Sequence, residues 1–253
     1  MSRSELLSLS RLRSLTGLRI LAADKNLGPT IVTDVWYHRE VSRLLSDENF
    51  YKKVEAVPFT SMKSSLISIL ERYGNTIGDK LTSYILQYVD FHTPAHFKVL
   101  PKVHKCPMVG RPIVTSTKYL TTPASRFIDC TLAPFLSSLP SYLKDSSDFI
   151  RQLNSLTIVP GSYLVTADVS SLYTNIPIKD CIVAIDLFCR SNGCPITALI
   201  TELSRFVLTN NYFEADGVLY HQQWGLAMGT PMAVSAAVIY MAYKRSPFLS
   251  EIY

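Results

Sequence analysis

What constrains this chain most is the order of its segments. Helical and strand-like stretches follow one another without the regular βαβ alternation of a doubly wound sheet, which points to an α+β fold. Residues 1–19 read as a helical or frayed lead. "RILAADKNLGPTIVTDV" reads as strand, Gly-Pro turn and strand, and "WYHREVSRLLSDENFYKKV" as a helix ending near residues 47–49. "FTSMKSSLISILERYG" reads as a helix with Thr60 as N-cap and Gly74 as stop, and a third helix is expected over 80–89. "PASRFIDCTLAPFLSSL" reads as an apolar helix with Pro123 in its first turn and a kink at Pro134. "GSYLVTADV" has the residue types of a central strand. Two helices follow, ending at Gly193 and at an Asn pair, then a hairpin turning at Asp216-Gly217, and a buried helix in "PMAVSAAVIYMAYKR".

Between residues 91 and 128 the texture changes. There is no acidic residue, but Lys98, Lys102, Lys105, Arg111, Lys118 and Arg126 are present. Two β-like runs, "HFKVL" and "RPIVT", are joined by "PKVHKCPMVG". Alternation in the first turns Lys98 away from Phe97 and Val99. The net charge of +5 agrees with a polyanionic partner, though many basic proteins bind no nucleic acid.

A hydrophobic fraction of 47% with 18% charged residues excludes a disordered chain, and 253 residues allow one large domain or two lobes. Five cysteines without paired spacing argue against a disulfide framework and for a reducing compartment. The start lacks the apolar core of a secretory signal; its arginines and serines suit a mitochondrial leader only loosely. The longest uncharged stretch, 217–243, is interrupted by Gly225, Gly229 and Pro231, so no membrane span is expected. His92, His96, His104 and Cys106 carry zinc-ligand chemistry, but Pro94 spoils the helical presentation of the first two.

"VTADVSSLYTNIP" makes the sequence specific: Asp168 ends an apolar run, and Tyr173 follows five places later. Alone, this is a strand end with a solvated carboxylate and a core tyrosine. Taken with its neighbours it reads differently. "FKVLPKVHK", "GRPIVTSTKYLTTPASRFI", "YLVTADVSSLYTNIP" and "YHQQWGLAMGTPMAVSAAVIYMA" resemble, in order, successive motifs of reverse transcriptases. "ADKNLGPTIVTDVWYHREVSRLLSDENFYKKV" and "SSLYTNIP" resemble the Penelope-like retroelements in particular, relatives of telomerase. The resemblance covers about residues 20–243.

It implies an α+β right-hand polymerase: a lead over 1–19, fingers with an N-terminal extension over 20–160, and a partial palm over 161–253 without a thumb. The implied activity is RNA-directed DNA polymerisation by two-metal nucleotidyl transfer. Its partners would be an RNA template, a DNA primer and deoxynucleoside triphosphates, and its place intracellular, nuclear if it acts on chromosomal DNA. Two Mg2+ (or Mn2+) ions about 4 Å apart would be held by carboxylate oxygens. The resemblance makes Asp168 a catalytic metal ligand and the Val169 carbonyl another. Tyr173 matches the gate that stacks under the sugar and excludes a 2′-hydroxyl. Arg111 and Lys98 match nucleotide-binding positions, Arg111 as a fork for phosphate. Gln222 and Gly229 match the nucleotide-binding loop, with Gly225 letting backbone approach closely. Lys102, Lys105, Lys118 and Arg126 are expected on template or primer phosphates; a solvated surface charge is the ordinary alternative for each.

The family's second acidic motif, an aromatic and a variable residue before Asp-Asp, is not present; after Gly229 the only carboxylate is Glu251. A single aspartate does not hold two divalent ions, so residues 1–253 alone are expected not to polymerise. The strand bearing Asp168 is expected to expose an edge or face. The alternative function is a nucleic-acid-binding remnant without chemistry. An RNA-templated RNA polymerase is disfavoured by Tyr173.

Overall fold

The computed structural model describes residues 3–157, 159–163 and 165–249. In chain order the elements are α1 (Arg3–Ser14), β1 (Leu18–Ala22), a 3₁₀ turn (Asp24–Asn26), β2 (Pro29–Thr33), α2 (Asp34–Leu44) and β3 (Tyr51–Val54). Next come α3 (Phe59–Arg72), α4 (Gly74–Ile85), β4 (Ala95–Lys102), β5 (Val109–Thr115), α5 (Thr122–Leu132) and a 3₁₀ segment (Ala133–Ser138). The chain continues through α6 (Ser146–Asn154), a single turn α7 (Leu172–Asn175), α8 (Ile178–Ser191), α9 (Thr197–Thr209), β6 (Tyr212–Ala215), β7 (Val218–Gln222) and α10 (Ala233–Leu249). The fold is mixed α+β. None of the described helices is long and apolar enough to cross a membrane. The chain divides into two compact units, Met1–Glu48 with Phe97–Ile113, and Asn49–His96 with Val114–Tyr253.

In the first unit, β1 and β2 form a hairpin in register from Leu18↔Thr33 to Ala22↔Pro29. Thr33 then caps α2, its hydroxyl accepting from the Trp36 N–H at 3.1 Å. The later residues of β4 and the first of β5 lie side by side. β4 alternates as its sequence requires: Phe97 and Val99 are buried and Lys98 is exposed. Buried Glu40 of α2 ties the start of β5 down, accepting from the Gly110 N–H at 2.7 Å.

In the second unit, β6 and β7 form the expected hairpin, with Asp216 and Gly217 both at positive φ as a tight turn requires. β3 pairs antiparallel with β7, and β6 takes the first residues of β4 in parallel through Ala95↔Phe213 and His96↔Glu214. The helices α5, α8, α9 and α10 pack together. Their apolar faces, with Ile128, Ile185, Leu199, Leu203 and Ala236, make the core. Tyr119 fastens α5's entry to the sheet, donating its hydroxyl to the Asn210 carbonyl at 2.6 Å and accepting from the Tyr212 N–H at 3.2 Å.

Several expectations are corrected. Helix α3 starts at Phe59 after Pro58 without a side-chain cap, so Thr60 lies inside it. Gly74 opens α4 rather than stopping α3, and α4 bends at Gly78 (φ 69°) and ends at Ile85. Tyr51 to Val54, just past the expected helix end near 47–49, form a strand that was not expected and pair with β7, and α6 is capped by Asp145 in a stretch not expected to be helical. The largest correction concerns 161–169. Its described residues form no strand; Tyr163 is 92% and Val165 82% exposed, and Asp168 and Val169 lie in the same irregular run. Leu164 is outside the described residues, as is Glu251. Strand propensity needs a neighbouring ladder to satisfy the backbone, and none of the described strands pairs with this stretch.

Candidate functional site

The second unit gathers its motif stretches on one loop. That loop runs from Gln222, the last residue of β7, to Met232. Gln222 is 2% exposed and its amide donates to the Trp224 carbonyl at 2.9 Å, turning the chain at its own position. The Gln223 N–H donates to the Phe50 carbonyl at 2.8 Å. Gly225, at φ +75°, lies against Thr174: a Cβ there would stand 2.7 Å from the Thr174 Cα. Next to it the Leu226 N–H donates to the Tyr173 carbonyl at 2.7 Å. The Met228 carbonyl accepts from the Val114 N–H at 2.7 Å. The Met232 N–H donates to the hydroxyl of fully buried Ser125 at 3.0 Å, and Asp129, one turn on, accepts from Ser235 at 2.5 Å. Segments read separately in the sequence, "RPIVT", "PASRFID" and "SSLYTNIP", thus each hold a different point of the glycine loop.

Tyr173 sits half-buried in α7, fixed by its backbone. Gly229 is exposed at φ +108°. Gln222 is buried, so its structural part is to shape the loop. Lys118 is exposed at φ +58°, its ammonium 5.9 Å from the Phe91 ring centroid, and Arg126 is exposed on α5. A cavity of about 810 Å³ between the 3₁₀ segment, α8 and α10 is lined by none of the candidate site residues. Burial pushes the thiols of Cys181 and Cys189 up to about 12, which keeps them protonated and unreactive near neutral pH.

Asp168 lies exposed in the irregular run, not at a strand end, with the Val169 backbone beside it. Among the described residues no three of His, Cys, Asp or Glu gather into a group able to hold a metal ion. One carboxylate and one carbonyl do not fit a pair of divalent ions, which need several carboxylate oxygens between them. His92, His96, His104 and Cys106 likewise form no such group.

In the first unit Lys98 is exposed and Lys102 half-buried on the polar face of β4, and Lys105 is exposed in the turn that follows. Arg111 on β5 meets Asp24, its Nε 2.9 Å from Oδ1. Asp24 and Glu40 were not legible as site residues: the groups that give them a place in the site, the Arg111 side chain and the Gly110 N–H, lie far along the chain. Only the place of Asp24 beside two alanines at a strand end hinted at burial.

Glu40 also accepts two N–H bonds from Arg43, at 2.7 and 3.0 Å. The Arg43 guanidinium, with the Gly110 N–H, holds the Glu40 carboxyl below the usual glutamate range against the opposing effect of burial. A lowered folded pKa means stability present above the unfolded value of about 4.3 and lost as pH falls through the folded one. Denaturant midpoints are therefore expected to fall below about pH 4.3 in wild type. Glu40→Gln, which keeps an acceptor for Gly110, is expected to flatten that fall. An unchanged acid profile in Glu40→Gln would sink the assignment. Compared with models of known protein families and with curated proteins, the chain matches none.

Proposed function

We propose that this chain is the fingers and partial palm of an RNA-directed DNA polymerase of the Penelope-like kind, a right-hand α+β arrangement acting on an RNA template and a DNA primer. The observation that carries the reading is the convergence of three motif stretches on the glycine loop, at Val114, Ser125 and the Tyr173–Leu226 bond. Independent turns and strand ends have no reason to share one loop, whereas a nucleotide-binding floor needs its backbone held rigidly. Tyr173 would gate the sugar, and Gly229 would admit close approach by a ligand. Arg111 and Lys98 would take phosphate oxygens of the triphosphate. Lys102, Lys105, Lys118 and Arg126 would neutralise template and primer phosphates. The Mg2+ or Mn2+ ions of the chemistry need more carboxylates than Asp168.

That shortage favours a second reading, in which the chain grips RNA–DNA hybrid without chemistry. Fluorescence anisotropy with a labelled RNA–DNA primer–template tests the shared core of both readings. Affinity is expected to fall with salt, with a log–log slope shrinking by about 0.7–0.9 for each phosphate contact removed. The double variant Lys98→Ala, Lys102→Ala should show the smaller slope. Binding indifferent to salt, or to both substitutions, would overturn both. Primer extension with magnesium or manganese separates them. The chain alone is expected not to extend, and extension abolished by Asp168→Asn would return the chemistry to it.

A further inference from the structure

We propose that Asp24 is a positioning residue for Arg111, setting its guanidinium to receive the oxygens of a triphosphate. The inference rests on the reading of Arg111 as a phosphate contact. It begins with burial: Asp24 is 5% exposed, and a carboxylate is seldom buried without a partner. The turn that places it is strained. Lys25 and Asn26 stand at φ 59° and 55°, a left-handed conformation that an asparagine adopts readily but a lysine does not. The bend closes where the Ala23 N–H donates to the Gly28 carbonyl at 2.8 Å. It turns Lys25 and Asn26 to solvent and Asp24 inward. Strain of this kind persists where the surrounding structure demands it, and it clusters at ligand clamps.

The partner that Asp24 finds is Arg111. Oδ1 lies 2.9 Å from Nε, yet Nε and Oδ2 are both buried without a hydrogen bond. The two charges are in contact but out of alignment. An arginine offers five N–H donors in a planar fork. With Asp24 at Nε, the Nη groups are the donors left for a ligand, and the side chain is 35% exposed. A small rotation of the fork aligns Nε–H with the carboxylate. A triphosphate on the Nη groups fixes that rotation, because oxyanions then flank the guanidinium on both edges. The adjacent residue is already immobile, since Glu40 holds the Gly110 N–H. Two buried acids from different elements therefore fix neighbouring positions of β5, one by its backbone and one by its side chain.

The test pairs a spectrum with an affinity. Nitrogen-edited NMR of the 253-residue chain reads the Arg111 Nε–Hε resonance, identified by its loss in Arg111→Lys. Calorimetric titration with inorganic triphosphate gives the binding constants. Triphosphate is expected to move the Arg111 Hε downfield and slow its exchange with water. Asp24→Asn is expected to remove that response and weaken triphosphate about fivefold, within the usual coupling of contacting residues. Removing a negative charge would by Coulomb attraction alone strengthen anion binding, so weakening marks positioning. In an Arg111→Ala background Asp24→Asn should change nothing further. If Arg111→Ala weakens triphosphate but Asp24→Asn binds it as wild type does, the inference falls and the reading of Arg111 stands. If Arg111→Ala leaves the affinity unchanged, the reading of Arg111 falls and the inference with it. Should Asp24→Asn not fold, the wild-type spectrum decides: Arg111-dependent binding without any Hε response overturns the inference.

Discussion

Gly225→Ala is expected to be the most damaging single methyl in the second unit. The position needs φ +75°, which costs a residue with a Cβ about 1–2 kcal/mol. The new Cβ would also stand 2.7 Å from the Cα and carbonyl oxygen of Thr174 and 2.9 Å from its carbonyl carbon. These are backbone atoms, so no rotamer change relieves the overlap. The loop must pull away from α7, and the Leu226 N–H to Tyr173 carbonyl bond goes with it. Overpacking adds about 1–3 kcal/mol, for a total of about 2–5 kcal/mol. In a chain of this size that lowers the unfolding temperature by about 10 °C. Gly193→Ala is the control: it has positive φ (+65°) but nothing within 4 Å of its Cβ position. It should lose only about 1–2 kcal/mol. Equal melting temperatures for the two variants would show that the close approach to Thr174 is not made.

What was legible in the sequence divides along a physical line. Local signals were readable. The alternation of "HFKVL" placed Lys98 outside and Phe97 and Val99 inside. Asp216-Gly217 marked its hairpin, and Pro123 and Gly193 marked helix ends. Each of these depends on a few neighbouring residues. Readings that depend on a distant partner failed. "GSYLVTADV" has strand composition, but composition provides no ladder, and the described residues of that stretch stand in solvent. Conversely Tyr51 to Val54 follow the helix expected to end near 47–49 and were not read as a strand, yet β7 recruits them into one.

The site shows the same division. The glycines of "QQWGLAMGTP" announced a loop of special backbone, and Gly225 and Gly229 do adopt positive φ. That Thr174, Val114 and Ser125 would be its supports was not readable, because neither a hydroxyl nor a backbone N–H or carbonyl carries a sequence signature for the distant group it will meet. Asp24 and Glu40 went unread for a related reason. In isolation a carboxylate is a surface group, and only the folded partners, Arg111 for Asp24 and Arg43 with the Gly110 N–H for Glu40, make burial tolerable.

Gly110→Ala brings the comparable loss to the first unit, by a different route. A Cβ at Gly110 would stand 2.2 Å from Cγ1 of Val99 and 3.3 Å from Oε2 of Glu40. Its obstacle is a side chain, so relief is possible in principle. Val99 is fully buried, however, and a β-branched side chain has little χ1 freedom. The strand must shift instead, and the bond from the Gly110 N–H to Glu40 lengthens. Steric strain with a weakened bond to a buried carboxylate amounts to about 3 kcal/mol. Val99→Ala removes the obstructing atom at a cost of about 2 kcal/mol as a single change. In the double variant the two penalties should fall short of their sum by about 1–2 kcal/mol, because the second substitution vacates the space the first one needs. The cycle is measured by denaturant unfolding of the four proteins. Additive losses would place the two residues out of contact. Since Arg111 is the next residue, triphosphate affinity gives a second reading of the same strand shift. Gly110→Ala should weaken it and the double variant should recover it, as a guanidinium carried off its carboxylate would require.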